Sequence, residues 1–306
     1  MNKDLFFQLL KLFWKSKKRK IFPNTSWIYP HGIERQYLSW LVKKMKTLTA
    51  VTRQYAKPNL SIWVKQQYKN DAEVADLREA LKRAYEENFK DKELEEVIRG
   101  YGEELNKQNK KQWEKYSLLA VGFAFTGEEQ WLNLALTEWT AMNTEILKNL
   151  GAEYIQKVNL LISQAVQQGL TYRAVMGQLE VLGLNYSEKK LKMIAVDQIG
   201  TLNGLITKFR QLDVGIEQYT WNTQRDERVR GNPSGKYPKA RPSHWAMQGK
   251  ICKWLDNSVY SNDGITWVPR TNEMPIAIPG SEFLCRCTGL PRLQELLNRV
   301  GESENS

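Results

Sequence analysis

Apolar and polar residues alternate with a helical period over most of the chain. Between Asp71 and about Phe89, apolar side chains recur every three or four positions, which is the spacing of an amphipathic helix that begins at an N-cap aspartate. The pattern predicts further helices over residues 34–55, 93–121, 126–150, 158–168, 172–182 and 187–212. Most of the first 212 residues are therefore predicted to be helical.

Capping and breaking residues set the predicted helix ends. Residues 126–129, Thr-Gly-Glu-Glu, resemble a capping box that starts a helix. Gly169 and Gly183 are placed as C-terminal stops, and Pro58 is expected to end the helix that begins near Glu34.

The pattern changes after Gly215. Residues 216–221 and 250–255 are short, aromatic and β-branched, and residues 262–264, Asn-Asp-Gly, lie between two short apolar runs and predict a β-hairpin. Residues 290–300 return to a helical period. We therefore predict an α+β fold, in which an extended, mostly α-helical N-terminal region is followed by a small mixed α+β C-terminal module.

The tryptophans and one cysteine are expected to be core residues. Aromatic side chains at helical spacing pack between neighbouring helices, which predicts this for Trp113, Trp131 and Trp139. The hydrophobic centre of the C-terminal module is predicted to contain Trp221, Trp245, Trp254 and Trp267, with Cys252 as an ordinary core residue.

The net positive charge of the chain comes from its N-terminal quarter. The net charge is +11, and residues 1–70 contain 15 Lys and Arg against two acidic residues, whereas residues 71–306 contain 30 against 32. Residues 4–20 have the spacing of a short amphipathic helix with Leu5, Leu9, Leu12 and Phe13 on one face. This arm predicts an acidic partner: nucleic acid, an anionic lipid surface or an acidic protein face. The candidate nucleic-acid contacts in it are Lys15, Lys17, Lys18, Arg19 and Lys20.

Composition excludes several classes of protein. Apolar residues make up 42% of the chain and charged residues 26%, which is typical of a folded globular protein. Three cysteines are too few for a disulfide scaffold, which favours synthesis in a reducing cytoplasm. The apolar run at residues 5–14 is too short to span a bilayer, and its positive charges follow rather than precede it, so we expect neither a membrane anchor nor a signal peptide.

An ordered series of short motifs runs through the second half of the chain. Its members are Ile194–Gln198, Gly215–Trp221, Arg225–Arg230, Arg241–His244, Gly249–Ile251 and Pro279–Thr288. Each motif alone is weak, but their order resembles the phage Mu F-like minor head protein family over about residues 150–292. The resemblance implies a virion protein present in few copies, bound at or near the portal inside the procapsid, that touches the packaged genome and affects its ejection.

Charge, helical periodicity and the resemblance together divide the chain into four segments. These are a basic amphipathic arm and linker (1–32), a helical region that would attach to portal or capsid (33–150), the helical part of the Mu F-like domain (151–214) and the α+β C-terminal module (215–306). The implied partners are the portal protein, the capsid, or both, and packaged double-stranded DNA. Membrane contact of the arm remains an alternative. The implied location is the interior of the virion head after assembly in the host cytoplasm.

Two features depart from the family pattern. Residues 231–240 form a Gly/Pro/Lys-rich insertion between Arg230 and the motif that holds His244, which leaves the relative placement of Asp226 and His244 open. Leu284 stands where the family commonly has an asparagine.

A histidine and two cysteines form a candidate zinc site. His244, Cys285 and Cys287, with Asp226 or Asp256 as a fourth ligand, are the ligand types of a structural zinc staple. The cysteines are one residue apart, rather than the two to four that are usual. Buried ordinary thiols beside a hydrogen-bonded histidine are the alternative, and a strained Cys285–Cys287 disulfide is a third.

Charged residues around the insertion admit two interpretations each. Asp226, Arg228 and Arg230 could handle a phosphate or, with Trp221, brace the turn after the strand. Across the basic interval 225–253, backbone contact with nucleic acid and a solvated charged loop are both open. Its candidate contacts are Lys236, Lys239 and Arg241.

Three functions follow from these residues. The first is a structural and interaction protein of the phage head, for which no catalytic residue is assigned. The alternative is a virion-delivered metal-dependent nuclease or toxin-like effector that uses Asp226, His244 and the arginines. The third is a DNA-binding module alone.

Overall fold

The computed structural model describes residues 8–12, 27–65, 71–185, 188–293 and 295–296. These residues form six long helices followed by short strands, which confirms the predicted fold class. The helices are α1 (His31–Lys65), α2 (Asp71–Asn88), α3 (Asp91–Val121), α4 (Trp131–Gln168), α5 (Tyr172–Asn185) and α6 (Glu188–Asp213). No helix within the described ranges is both long enough and apolar enough to span a membrane.

The C-terminal module contains two small antiparallel sheets. The strands are β1 (Gln218–Asn222), β2 (Ile251–Lys253), β3 (Val259–Tyr260), β4 (Val268–Pro269) and β5 (Thr288–Pro291), with a 3-10 helix at Trp245–Met247. In the first sheet β1 lies between β2 and β5, and β3 pairs with β4. The predicted hairpin is thus confirmed. Its loop closes on Asp263, whose carboxylate accepts hydrogen bonds from the backbone of Ile265 and Thr266.

The described chain divides into two compact units. Unit 1 comprises Met1–Ile33, Gly102–Leu136 and Val196–Ser306, and unit 2 comprises Glu34–Tyr101 and Thr137–Ala195. Neither unit is one continuous segment of the chain, because the four boundaries between them fall inside the long helices α1, α3, α4 and α6.

Unit 2 is held together by the apolar faces of its helices. The stripe predicted for α2 is buried at Leu77, Leu81 and Ala84. The ring of Tyr37 in α1 lies 6.0 Å from that of Trp139, and its hydroxyl group donates a hydrogen bond of 2.8 Å to Asn143 Oδ1. Burial of these aromatic and aliphatic side chains is the main source of stability for such a bundle.

The helical part of unit 1 has an apolar core with a buried charged network beside it. Trp113 and Tyr116 of α3 lie in that core, and Trp113 donates a hydrogen bond to the carbonyl group of Phe125. Arg210 of α6 is only 1% exposed, and its Nε donates to Glu129 Oε1 at 2.8 Å. Its two terminal nitrogens donate to the side chains of Asn106 and Asn109, so every charged group there has a partner.

Three predicted helix boundaries are wrong. Pro58 lies inside α1, because burial of Thr52 and Ala56 on the preceding turn stabilises the helix despite the lost hydrogen bond. Gly183 lies inside α5, whereas Gly169 does follow the end of α4 with a φ of 61°. The break expected near residue 150 is absent, since Gly151 lies within α4 against the Phe89 ring, which leaves no room for a Cβ.

The predicted capping box at 126–129 is also wrong. Helix α4 begins at Trp131, and Glu129 precedes it with a φ of 52°. The carboxylate of Glu129 binds Arg210 and Lys110, and its backbone amide donates to Asp213. Because the side chain is committed to a buried ion pair, it does not reach back to Thr126.

The amino-terminal arm is only partly within the described residues. Residues 8–12 are helical, but the face differs from the expected one, because Leu10 is completely buried in the unit 1 core and Leu12 is 65% exposed. The predicted linker also contributes Trp27 to that core. The proposed basic contacts Lys15, Lys17, Lys18, Arg19 and Lys20 lie outside the described residues.

Two expectations for the C-terminal module need correction. Leu290 and Pro291 belong to β5 rather than to a helix, because they pair with β1. Trp221 and Trp254 are fully buried in the module core with Cys252, as predicted, whereas Trp245 and Trp267 are only partly buried. The Trp267 ring instead lies under the Lys253 ammonium group at 4.4 Å.

Candidate metal centre

Two segments that are far apart in sequence bring one histidine and two cysteines together. His244 immediately precedes the 3-10 helix, and Cys285 and Cys287 lie just before β5. Pairing of β5 with β1 places the cysteines beside Trp221, whose ring meets that of His244 edge-on at 5.8 Å. All three candidate ligands are buried, and their ligand atoms lie within 4.8 Å of one another.

The close contacts involve a single nitrogen of the histidine. His244 Nδ1 lies 3.3 Å from Cys285 Sγ and 3.4 Å from Cys287 Sγ. Both sulfur atoms therefore face the same lone-pair position of the ring.

The other nitrogen of the histidine faces a carboxylate. His244 Nε2 lies 2.8 Å from Glu282 Oε2 and 2.7 Å from Arg230 Nη2. Arg230 in turn donates a hydrogen bond of 2.8 Å to the same Glu282 oxygen. Glu282 thus orients the imidazole through Nε2, while Arg230 holds Glu282 in place.

Both cysteines reach the histidine although only one residue separates them. They lie in the irregular segment between a turn at 282–284 and β5. The guanidinium group of Arg286, between them, lies 5.9 Å from the ring of Tyr29. The backbone amides of Gly280 and Cys287 both donate to Cys285 Sγ, at 3.3 and 3.4 Å. Such donors stabilise a thiolate.

The three groups shift one another's protonation. Burial raises the pKa of the Cys285 thiol, but hydrogen bonds from Cys287 and His244 more than offset this and hold that pKa well below its ordinary value. Burial and the neighbouring Cys285 raise the pKa of Cys287 well above its ordinary value. Burial lowers the pKa of His244, but the hydrogen bonds to Cys285 and Glu282 outweigh it, and the net shift is upward. Cys285 is therefore the more acidic of the two thiols.

The expected fourth ligands do not join this cluster. Asp226 lies in the turn after β1, where its carboxylate accepts hydrogen bonds from the backbone amide and guanidinium group of Arg228. Asp256 accepts hydrogen bonds from Ser258 instead. Short-range partners two residues away satisfy both carboxylates, so neither is available to His244.

The charged residues after β1 form two pairs rather than one network. Arg228 pairs with Asp226, as the bracing interpretation has it, but Arg230 turns to Glu282 and His244. The ring of Trp221 faces His244 and Arg270 rather than the pair of Asp226 and Arg228.

The ten-residue insertion folds back on itself. Lys236 N donates to the carbonyl group of Glu227, and Gly231 N donates to that of Tyr237. Trp245 N donates to the carbonyl group of Arg230, so the two ends of the insertion meet. Arg230 and His244 are therefore in contact despite the inserted residues.

The loop that carries the cysteines packs on two glycines of α6. A Cβ added to Gly200 would lie 2.5 Å from the carbonyl oxygen of Cys285, and one added to Gly204 would lie 2.3 Å from that of Pro279. Asp197, one turn earlier, accepts a hydrogen bond from Leu284 N. The sequence analysis missed Gly200, Gly204 and Glu282. A glycine pair four residues apart within a predicted helix was the available signal for the first two.

The candidate basic contacts of the module lie on its surface. Lys236 pairs with Glu227 at 2.6 Å, and Arg241 lies 3.5 Å from Glu273. Lys239 is exposed. Much of the positive charge in this interval is thus balanced by acidic groups of the same module.

The arrangement is suited to three kinds of chemistry. Two sulfur atoms and an imidazole nitrogen around one point are a ligand set for zinc. Cys285, His244 and Glu282 also lie in the order of a thiol nucleophile, its base and an orienting group. In the third possibility the residues have only a packing role, as two buried thiols beside a hydrogen-bonded histidine.

The fold and this cluster define a class of helical protein with a compact, cysteine- and histidine-centred C-terminal module. The sequence model described as Phage Mu protein F like protein matches residues 156–290. This match confirms the resemblance found in the motif series and spans the end of α4, α5, α6 and the module through β5. The matched family is a structural, head-morphogenesis family of phages.

The chain is also similar to a bacterial protein over half of its length. An uncharacterized protein of Haemophilus influenzae is 29% identical over 154 residues, which is 50% of this chain and 28% of the relative. The matched segment thus spans little more than a quarter of that relative. No solved structure matches the chain.

Proposed function

We propose that the chain is a minor head protein of a tailed bacteriophage that attaches to the portal region and assists head assembly. The match of residues 156–290 to the Mu F-like family supports this proposal. The proposed location is the interior of the virion head.

The surface of the C-terminal module favours a protein partner over DNA. Its exposed large apolar residues include Leu255, Ile265, Ile276 and Phe283. An exposed apolar side chain is stabilised when a protein partner buries it, whereas DNA presents mainly charged phosphate groups. Its basic residues Arg228, Lys236 and Arg241 pair with acidic residues of the module, which reduces the charge that they offer to phosphate groups. We therefore assign the module to portal or capsid contact.

The geometry does not favour the nuclease alternative. That hypothesis uses Asp226, His244 and the arginines together, but Asp226 binds Arg228 and His244 faces Glu282. Without this pairing the proposed catalytic set is not assembled.

The test is the composition of heads that contain no DNA. With packaging blocked in the phage that encodes this chain, purified head precursors are analysed by quantitative mass spectrometry. We expect the chain at a fixed, low copy number relative to the portal protein. Its absence from these precursors and presence only in filled heads would overturn portal attachment and favour DNA binding.

Two surface variants refine this test. Leu255→Lys with Ile265→Lys alters the exposed apolar residues, whereas Lys236→Gln with Lys239→Gln removes surface charge from the same module. We expect the first pair to lower incorporation several-fold and the second to leave it unchanged. A loss of incorporation confined to the charge variant would contradict the assignment of the module to protein contact.

A further inference from the structure

The buried cluster of His244, Cys285 and Cys287 has the geometry of a metal site. A tetrahedral zinc ion has ligand distances of about 2.0–2.1 Å to nitrogen and about 2.3 Å to sulfur, so its nitrogen and sulfur ligands lie about 3.6 Å apart. The Nδ1–Sγ separations here are 3.3 and 3.4 Å. An ion would need only a few tenths of an ångström of expansion.

The surroundings of the cluster match what a thiolate-bound ion requires. A ligating histidine usually donates its other ring N–H to a carboxylate, and Glu282 lies 2.8 Å from His244 Nε2. Arg230 balances the charge of that carboxylate. Backbone amides of Gly280 and Cys287 point at Cys285 Sγ and would stabilise its negative charge once metal is bound.

The alternatives use the cluster less completely. A nucleophilic triad needs one thiol at the histidine, yet both sulfur atoms face Nδ1, and Cys285 and Cys287 are almost fully buried. A packing cluster of ordinary thiols needs neither the aligned Glu282 nor the two amide donors.

We propose that His244 Nδ1, Cys285 Sγ and Cys287 Sγ bind one zinc ion, with Glu282 and Arg230 as outer positioning residues. The protein supplies three of four tetrahedral positions and leaves the last to a small ligand such as water, which is the coordination of an open site rather than of a closed one. The ion would close a loop of about forty residues, from 244 to 285, that contains β2, β3 and β4. Because these strands are only two or three residues long, this cross-link would fix a module with little regular hydrogen bonding.

The first experiment counts zinc in the full-length chain. Purified protein is incubated with Zn²⁺, passed through a desalting column and analysed for metal by mass spectrometry. We expect about one zinc per chain for the wild type and for Cys252→Ser, and at least a tenfold lower content for Cys285→Ser and Cys287→Ser. Cys252→Ser is the matched control, since it is a buried cysteine of the same core that lies outside the cluster. A metal-free wild type, or equal zinc in all four proteins, would overturn the proposal.

A second measurement covers the case in which the cysteine variants fail to fold. Wild-type protein loaded with Co²⁺ is expected to show a thiolate-to-cobalt charge-transfer band and strong visible bands of tetrahedral cobalt, which zinc then displaces. The same protein is treated with iodoacetamide before and after chelation. Protection of Cys285 and Cys287 only in the metal-bound form supports the site, whereas absent cobalt bands with rapid modification of Cys285 alone would favour the nucleophile and contradict the metal.

Discussion

The two units bury different kinds of contact. In unit 2, helices pack through apolar stripes such as Leu77, Leu81 and Ala84, and its ion pairs are exposed. In unit 1, Arg210 is buried in an ion pair, glycines of α6 allow a loop to approach the helix backbone, and a histidine meets two cysteines. A periodic apolar pattern can be satisfied by many sequences, whereas each contact of unit 1 requires a particular residue.

The largest loss of stability is expected when the buried charge of unit 1 is removed at Arg210. Arg210→Met leaves the Glu129 carboxylate, which is 10% exposed, with only the more exposed Lys110 as counter-ion, and it removes a donor from the side chains of Asn106 and Asn109. Breaking one side of a buried pair costs about 3–5 kcal/mol, so we expect the free energy of unfolding to fall by that amount in urea denaturation.

The matched control for Arg210 lies in unit 2. Arg53 lies 3.8 Å from Glu180, and both side chains are exposed, so Arg53→Met should cost less than about 1 kcal/mol. Equal losses for the two variants would mean that the buried network contributes no more than a surface pair.

The next prediction compares glycines inside helices. Gly204→Ala in α6 would place a methyl group 2.3 Å from the carbonyl oxygen of Pro279, and we expect a loss of about 1–3 kcal/mol. In α5 of unit 2, nothing lies within 4 Å of a Cβ at Gly177, so Gly177→Ala should gain about 0.5–1 kcal/mol from helix propensity. Thermal unfolding of both variants decides the matter, and a stabilising Gly204→Ala would show that the loop does not contact the helix this closely.

The smallest effect concerns Leu284, which has a φ of 56°. Asparagine tolerates this left-handed conformation better than leucine, and the Leu284 side chain is 39% exposed. Leu284→Asn is therefore expected to stabilise the protein by about 0.5–1 kcal/mol. The neighbouring exposed residue Phe283 is not in that conformation, and Phe283→Asn should give no gain in the same melting experiment. Equal shifts for both would remove the backbone explanation.

The sequence carried most of the information on helices and much less on the site. The periodicity of residues 71–89 and 93–121 located α2 and α3 closely, because a helix face repeats every few residues. The ends set by Pro58 and Gly183 were wrong, because burial of the surrounding helix outweighs a local breaking residue. Local signals therefore identified elements more reliably than they identified boundaries.

The sequence predicted which residues form the site, but not which side chains they contact. His244, Cys285 and Cys287 are rare residues within one motif series, which made them candidates. Asp226 was expected beside His244, but a carboxylate with a donor two residues away binds it locally. Glu282 has no distinguishing pattern, since only the fold brings it to the histidine. The left-handed backbone conformation at position 284 is one that asparagine tolerates better than leucine.

The contact between α6 and the loop at 279–285 determines where the protein can be cut. The loop that carries the cysteines packs against Asp197, Gly200 and Gly204, which precede β1 in the chain. A fragment that begins at residue 215 would expose that loop to solvent and lose the amide contact of Leu284. The smallest fragment that retains these contacts therefore starts upstream of Asp197. A shorter fragment is expected to be cleaved by proteases.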